Sequence, residues 1–289
     1  MTEYLRILYH LTKADLLERT RRYGFFVTII ATLYLGYSAY AGNIVLALGN
    51  YRGVYNSAWV GMLMALTTVT LFSIAGFYIV KNALERDEQT RVGQILAATR
   101  VGNFTYIFSK LLSNICVLTF MVGIMVIAAF AMQALKREAG VVNSGEILLP
   151  SLLITMPVIF MTSAMALLFE NIPWLRRGFG NVFYVFFWAA ALAVPMEIHA
   201  DALDLTGLSI VQPELQSAVL AVHGDYDGGF SLSIGPQDQH GNLKTFTWNG
   251  MHWTTDLVLL RCSWLAWMMV VALASTLLFR RFEKGGIKT

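Results

Sequence analysis

Charged residues are scarce in this chain. Asp, Glu, Lys and Arg make up 13% of its 289 residues, whereas an ordinary soluble domain carries about 25%. Hydrophobic residues make up 56%, and they concentrate in uninterrupted runs. A helix needs ~20 apolar residues to cross a bilayer, and several runs reach that length. The composition therefore excludes an ordinary soluble domain.

Ionisable side chains are absent from the middle of every such run. The nearest are Glu170, Asp256 and Arg261, which all lie close to run ends. Because charges within lipid usually mark ion or proton pathways, their absence argues against a proton-driven secondary transporter. Arg261 lies about one and a half turns into the last run. It either anchors the helix at the membrane interface, which we favour, or contacts a substrate.

Motifs of three kinds of site are also missing. The sequence contains no HExxH zinc-peptidase motif, no G-x-S-x-G nucleophile motif and no G-x-x-x-x-G-K-[ST] phosphate loop. The chain therefore does not bind ATP through a phosphate loop of its own. Its two cysteines, Cys116 and Cys262, lie within apolar runs, which is typical of small buried hydrophobic residues rather than metal ligands.

The apolar runs that are present predict an all-α polytopic membrane protein with six transmembrane helices. The predicted spans cover residues 23–48, 57–80, 106–134, 147–169, 179–196 and 256–279. The fifth is the shortest, and either crosses the membrane fully or re-enters it from one side. Pro157 lies inside the fourth span, where it should kink the helix.

Lys and Arg concentrate in the N-terminal segment, in the second and fourth connections and in the C-terminal tail. The positive-inside rule therefore places both termini in the cytoplasm. Because these basic stretches flank spans, topology and lipid headgroups explain them better than nucleic acid does. The predicted anchors at the membrane interface are Arg21, Arg22, Trp174, Arg176, Arg177, Arg280 and Arg281.

The N-terminal segment, residues 3–22, is amphipathic. Tyr4, Ile7, Leu8 and Leu11 form one face of a helix. This pattern favours a helix that lies in the membrane interface before the first span. The alternative is a solvated helix that frays at its end.

The second connection, residues 81–105, is too charged for lipid but has helical periodicity. Val92, Ile95 and Leu96 form one apolar stripe. A cytoplasmic helix of this kind is a candidate docking site for a soluble partner, although the same stripe would also suit a helix lying on the membrane. The polar residues expected on its surface are Glu85, Asp87, Glu88, Arg91 and Arg100.

The largest extracytoplasmic connection covers residues 197–255. Alternating runs at residues 230–234 and 243–248 predict a small β-hairpin that caps the bundle. His223, Asp225 and Asp227 form a weak candidate metal site, but their spacing matches no tight ligand motif. We therefore predict no metal, and interpret these residues as ordinary loop residues.

Aromatic residues crowd the fifth span. Phe183, Phe187 and Trp188, with Arg261 of the last span, are candidates for lining a substrate path. Packing against lipid or other helices is the favoured alternative, since apolar surface is the default for any span. The sequence does not identify a substrate.

The region from Phe77 to Leu112 carries a family resemblance. A span runs through Glu85-Arg-Asp-Glu88 into Gly93-Gln-Ile-Leu96, and the chain re-enters the membrane at Ser109-Lys110-Leu111. Together with six spans and two cytoplasmic termini, this resembles the permease subunit of an ABC-2 type transporter. A weaker match, Trp248-Asn-Gly-Met-His-Trp253 with Arg261-Cys-Ser-Trp264, resembles a permease subgroup linked to maturation of extracytoplasmic enzymes.

The resemblance implies an exporter in a bacterial cytoplasmic membrane. Residues 81–105 would be the coupling helix, and a separate ATPase subunit would bind ATP and Mg²⁺, with no cofactor on this chain. A second permease subunit, identical or related, would complete a dimer. The alternative function is a non-transporting scaffold that recruits one cytoplasmic and one extracytoplasmic protein. A membrane-embedded enzyme is disfavoured by the missing motifs.

Overall fold

The computed structural model describes residues 2–90, 99, 101–136, 138, 140–176, 178–198, 200–235 and 243–279. Six of its helical segments are long and apolar enough to cross a membrane. They cover Tyr23–Tyr40, Ser57–Gln89, Asn103–Lys136, Ser144–Asn171, Gly178–Ile198 and Thr255–Leu278. The prediction of a mainly helical fold with six helices long and apolar enough to cross a membrane is confirmed.

The first half of the chain forms helices α1 to α6. Helix α1 (Thr2–Thr20) precedes α2 (Tyr23–Tyr40), and α3 (Ser57–Thr67) continues through a π-helical turn (Thr68–Phe72) into α4 (Ser73–Val80). The short helix α5 (Ala83–Gln89) comes before α6 (Asn103–Lys136). We call the end of the bundle that carries α1 and α5 the base, and the opposite end the cap.

The second half of the chain completes the bundle. Helix α7 (Ser144–Pro150) continues through a second π-helical turn (Ser151–Thr155) into α8 (Met156–Asn171), and α9 (Gly178–Ile198) returns to the cap. A 3₁₀ turn (Asp201–Leu203), α10 (Leu208–Val222) and the strands lie between α9 and the last span, α11 (Thr255–Leu278). The segments 57–89 and 144–171 are central, because 67% and 72% of their apolar windows are buried.

Pro157 explains the irregularity of the fourth span. Proline has no N–H and clashes with the carbonyl four residues earlier, which here belongs to Leu153. Leu153 lies within the π-helical turn, and its carbonyl accepts a hydrogen bond from Arg261 Nε at 2.9 Å. The predicted distortion takes the form of a π-helical turn whose freed carbonyl has a partner on α11.

The first span ends earlier than predicted. Helix α2 ends at Tyr40 rather than at residue 48, and Ile44–Ala47 forms strand β1. Gly42 has a φ of 79°, a conformation that glycine adopts without strain and that turns the chain out of the helix. The β-branched residues Ile44 and Val45 then favour an extended backbone.

The predicted hairpin is wrong. Strand β3 (Ser231–Ile234) pairs with β1 in antiparallel fashion, with Val45 opposite Ser233. Strand β4 (Lys244–Phe246) pairs in parallel with β2 (Tyr51–Gly53), a strand that was not predicted from the sequence. The two segments predicted to pair with each other instead find partners in residues 44–53. A parallel pair cannot be joined by a two-residue hairpin turn.

Trp59 lies at the centre of the contact between the cap and the bundle. It is 1% exposed, and its ring meets those of Phe246 and Trp248 edge to face at 5.5 and 6.2 Å. A Cβ on Gly53 would lie 2.2 Å from the Trp59 ring, so this strand can approach the ring only as glycine. The cap is therefore packed onto the second span.

Candidate functional site

The base of the bundle contains the described part of the predicted coupling segment. The second span ends at Val80, and Asn82 adopts a left-handed conformation with φ of 68°, which asparagine tolerates better than most residues. The chain therefore turns sharply and begins α5 at Ala83. This turn separates α5 from the membrane-spanning part of the same segment.

Glu170, at the base of α8, holds the beginning of α5. Its carboxylate accepts hydrogen bonds from the backbone N–H groups of Ala83 at 3.0 Å and Leu84 at 2.6 Å. These groups have no partner within the helix itself, and a carboxylate also interacts favourably with the positive end of the helix dipole. Glu170 is 3% exposed, so the fourth span caps α5 from inside the protein.

Lys110 joins α5 to the N-terminal helix. Its Nζ lies 2.6 Å from a carboxylate oxygen of Asp15 on α1 and 2.8 Å from one of Asp87 on α5. Asp87 also accepts a hydrogen bond from Tyr106 Oη at 2.6 Å. Because Lys110 and Asp87 are 5% and 4% exposed, breaking either contact would leave a buried charge without its partner.

Asp15 and Arg19 extend this network along α1. Arg19 Nε donates to Asp15 at 2.6 Å, and its Nη2 donates to Asn114 on α6 at 2.7 Å. Burial by itself would raise the pKa of Asp15, but the charges of Arg19 and Lys110 outweigh it and hold that pKa well below its ordinary value. Asp15 is therefore ionised at neutral pH and fixes α1 against α6.

Glu88 connects α5 to the link before the fifth span. Arg176 donates to its carboxylate through Nη1 at 3.1 Å and Nη2 at 2.6 Å. Nearby, Lys81 Nζ donates to Asn181 Oδ1 at 2.5 Å. A polar cavity of about 470 Å³ lies between these pairs, and Glu85 and Gln89 line it. The cavity is open at the base, and its lining includes both acidic and basic side chains that a partner could contact.

Only some of the polar residues predicted on the surface of the coupling segment, residues 81–105, are exposed. Asp87 is buried in the network with Lys110, so its prediction as a surface residue is wrong. Glu88 is engaged by Arg176, and Glu85 is half-buried. The apolar stripe and the remaining charges of this site, Arg91, Val92, Ile95, Leu96 and Arg100, lie outside the described residues.

The predicted interface anchors that the structure describes, Arg21, Arg22, Trp174 and Arg176, lie at the base. Arg21 and Arg22 are exposed between α1 and α2, and Arg22 pairs with Glu18. Trp174 is 57% exposed and contacts the rings of Phe179 and Phe183. Arg177, Arg280 and Arg281 lie outside the described residues.

In the described part of the chain, the four candidate substrate-path residues do not all line one cavity, although Phe187 and Trp188 both line a small one between α8 and α9. Phe183 contacts Phe169 and Trp174 at the base, whereas Trp188 Nε1 donates to Ser73 Oγ at 3.0 Å. Phe187 lines an apolar groove.

Arg261, the fourth of these residues, is 1% exposed. It donates to the carbonyls of Leu153, Asp204 and Leu205, so it acts neither as an interfacial anchor nor as an open substrate contact.

The weak metal candidate does not form a cluster. His223 stacks on Tyr51 with ring centroids 4.6 Å apart, and Asp225 lies 3.4 Å from Lys244 Nζ. Within the described part of the chain, the ligand atoms of His223, Asp225 and Asp227 do not converge. The carboxylate oxygens of Asp15, Glu18 and Asp87 do lie close together. However, Asp15 is paired with Arg19 and Lys110, and Asp87 is paired with Lys110.

Sequence reasoning missed the buried network at the base. Asp15 and Arg19 are spaced i, i+4, a pairing typical of helices, and Lys110 follows closely on the start of the third span. These signals indicate paired charges but do not show that α1 contacts α6. The amphipathic pattern instead drew attention to Tyr4, Ile7, Leu8 and Leu11, of which Tyr4 is 70% exposed.

Comparison with known proteins yields no relative. No protein-family model, no curated protein and no solved structure matches this chain.

Proposed function

We propose that this chain is the membrane-spanning permease subunit of an ATP-driven exporter. In this proposal the base faces the cytoplasm, and a separate ATPase subunit docks on residues 81–105. That subunit binds ATP and Mg²⁺, and two permease subunits form the transport unit. The proposal rests on the positive-inside charge distribution, the absence of a phosphate loop, and the resemblance carried by residues 77–112.

One structural observation supports a force-receiving role for α5. The helix has seven residues, too few to be stable alone in water, yet it has polar links to three other parts of the bundle. Glu170 caps it from α8, Lys110 binds it from α6, and Arg176 binds it from the link before α9. A displacement of α5 would therefore move several spans together.

The two π-helical turns offer positions where the spans can bend. They lie in the central segments at Thr68–Phe72 and Ser151–Thr155 and contact each other. Such turns interrupt the regular helical hydrogen-bond pattern and often occur at functional positions. In the proposed cycle, the ATPase pair moves the base halves of the spans while the cap stays packed on Trp59, in the manner of rigid-body switching.

The test asks whether a gene next to the one for this chain encodes an ATPase subunit, and whether that subunit associates with this chain. The pair is co-expressed, purified in detergent and assayed for ATP hydrolysis with and without this subunit. Ile95→Asp with Leu96→Asp is expected to abolish co-purification, because two carboxylates replace the apolar stripe. The matched control, Val141→Asp with Val142→Asp, changes two exposed apolar residues at the cap and should leave association intact.

Two results would contradict the proposal. One is co-purification and ATPase stimulation that survive the double substitution at residues 95 and 96 in a folded protein. The other is a stable cytoplasmic partner that carries no nucleotide site, which would favour the scaffold.

A further inference from the structure

An apolar groove of about 380 Å³ runs between α8, α9 and α11. Met161 and Met165 line it from α8, Phe187 and Val194 from α9, and Trp264 and Trp267 from α11. Among the described residues, none that lines the groove carries a charge. The volume falls within the range of about 300–1,000 Å³ that is usual for small-molecule sites.

The groove is continuous with the membrane-facing surface. Helices α9 and α11 are the least buried of the six long segments, each with 17% of its apolar window buried. Val194 and Trp267, on the two sides of the groove, are 46% and 56% exposed. Because both helices are long and apolar enough to cross the membrane, hydrocarbon rather than water lies against these side chains.

The lining of the groove on α9 is about as long as one leaflet is thick. It runs from Phe187 to Pro195, a rise of roughly 12 Å at 1.5 Å per residue. Half the hydrocarbon core of a bilayer measures about 15 Å. Leu203 and Leu205 line the groove at its cap end, whereas Met165 and Val271 line it beyond the middle of the fourth and sixth spans, so the groove starts at the cap and reaches past the centre of the bundle.

Hydrogen bonds from Arg261 and Trp188 hold the walls of the groove in position. Arg261 Nη2 donates to the Leu205 carbonyl at 2.7 Å, and its Nη1 donates to that of Asp204. Trp188 Nε1 bonds to Ser73 Oγ at 3.0 Å and holds α9 against α4. A groove fixed in this way does not depend on its occupant for its shape, as is usual for ligand sites.

We propose that this groove binds one acyl chain of a phospholipid from the cap-side leaflet. The occupant is a resident lipid of the bilayer, and the site does not depend on the proposed transport function. An acyl chain fits because it is uncharged like the groove walls and can enter sideways from the bilayer. The thickness of one leaflet also compares with the length of the groove lining on α9.

The experiment uses the full chain alone in vesicles of phosphatidylcholine, a fraction of which carries a photoreactive diazirine on one acyl chain. After illumination, attached lipid is mapped by mass spectrometry of peptides. We expect labelling to concentrate on α8 around Met161 and Met165 and on α11 around Trp264 and Trp267. No ATPase subunit is present, so failure of the transport proposal would not affect this result.

Two neighbouring alanines on α9 provide a matched pair of variants. Ala190 lines the groove and Ala189 does not, and both are exposed. Ala190→Phe fills the groove and should lower labelling of these peptides about tenfold, as a loss of ~1.4 kcal/mol in binding would. Ala189→Phe should leave labelling unchanged, and both variants should keep the wild-type unfolding midpoint.

Either of two outcomes would overturn the proposal. One is labelling that is spread evenly over all membrane-facing helices and unchanged by Ala190→Phe. The other is efficient cross-linking of Ala190→Cys between two copies of the chain without lipid labelling in the groove, since a second copy would then be the occupant.

Discussion

The Nε atom of Arg261 on α11 donates a hydrogen bond to the Leu153 carbonyl at 2.9 Å, the carbonyl that Pro157 leaves without its usual helical partner. The same guanidinium binds the carbonyls of Asp204 and Leu205. One buried cation thus joins the irregular turn of the fourth span, the last span and the cap. Its hydrogen bonds go to backbone carbonyls, and the buried carboxylate of Asp204 interacts with its charge from nearby.

Replacing Arg261 should destabilise the protein. Arg261→Met retains much of the apolar stem but leaves three buried carbonyls without a donor, and each hydrogen bond to a charged group is worth about 1.5–3 kcal/mol. We expect a loss of about 3–5 kcal/mol in unfolding free energy, measured by denaturation in detergent, which is less than the sum of three such bonds because removing the buried charge also removes its desolvation cost. Arg52→Met, which removes a partly exposed pair with Glu138, should cost less than about 1 kcal/mol. Equal losses of unfolding free energy for the two variants would contradict the inference that Arg261 holds the fourth span, the last span and the cap together.

The buried pair of Asp15 and Lys110 should show strong coupling. Lys110→Met leaves the Asp15 and Asp87 carboxylates facing each other without their shared cation, and removing one partner of a buried pair costs about 3–5 kcal/mol. Asp15→Asn should cost less when added to Lys110→Met than it costs alone, because the contact between the two residues is then already lost, whereas Arg19 loses its carboxylate partner in both cases. The unfolding free energies of the wild type, both single variants and the double variant measure this coupling. Additive losses would show that the two residues do not interact.

Asp15 should also contribute a defined pH dependence. Its pKa is lowered in the folded protein from an ordinary value of 3.8, so it stabilises the folded state above that value. The contribution is lost as pH falls from about 4 towards the lower folded pKa. The difference in unfolding midpoint between wild type and Asp15→Asn should therefore be constant from neutral pH to about pH 5 and shrink below pH 4. A difference that grows on acidification would give the opposite sign and contradict the assignment.

The cap topology can be tested by disulfide formation. Val45 and Ser233 are directly opposed on β1 and β3, and opposed residues in antiparallel strands have Cα atoms about 4.5–5.5 Å apart, within disulfide range. With Cys116 and Cys262 replaced by alanine, Val45→Cys with Ser233→Cys should cross-link on mild oxidation. Val45→Cys with Thr245→Cys should not, because Thr245 pairs with β2. The mobility of the non-reduced protein on a gel distinguishes the two results.

Glu170 should control the position of α5 more than it controls insertion into the membrane. Glu170→Gln removes the charge and one of the two oxygens that accept the N–H groups of Ala83 and Leu84. Loss of a helix cap typically costs about 1 kcal/mol, so the protein should still fold. Protease sensitivity of the connection after α5 should increase, and any ATPase coupling should fall. The matched variant Glu146→Gln, at the cap end of α7, should change neither property.

The sequence by itself determined the membrane class, the number of long apolar helices and most of their limits. These follow from local composition, because a bilayer admits only segments that satisfy their own backbone hydrogen bonds and present apolar side chains. The distortion near Pro157 was predictable for the same reason, since it depends on a missing N–H within one helix. The break after Tyr40 was missed because residues 41–48 are apolar enough to continue a span.

Only the tertiary structure decided which distant residues meet. Strands β1 and β2 take partners roughly 190 residues away, as in the pairing of Val45 with Ser233 and of Arg52 with Thr245, and no local alternation specifies such partners. From the sequence, Asp87 is predicted to be a surface residue of a polar helix, but in the structure it is buried against Lys110 and Tyr106. From the sequence, Arg261 is predicted to be an interfacial anchor near a span end, but in the structure it donates a hydrogen bond to the Leu153 carbonyl. In each case a polar group is buried beside a partner that sequence spacing does not reveal, because burial and pairing depend on how the helices pack.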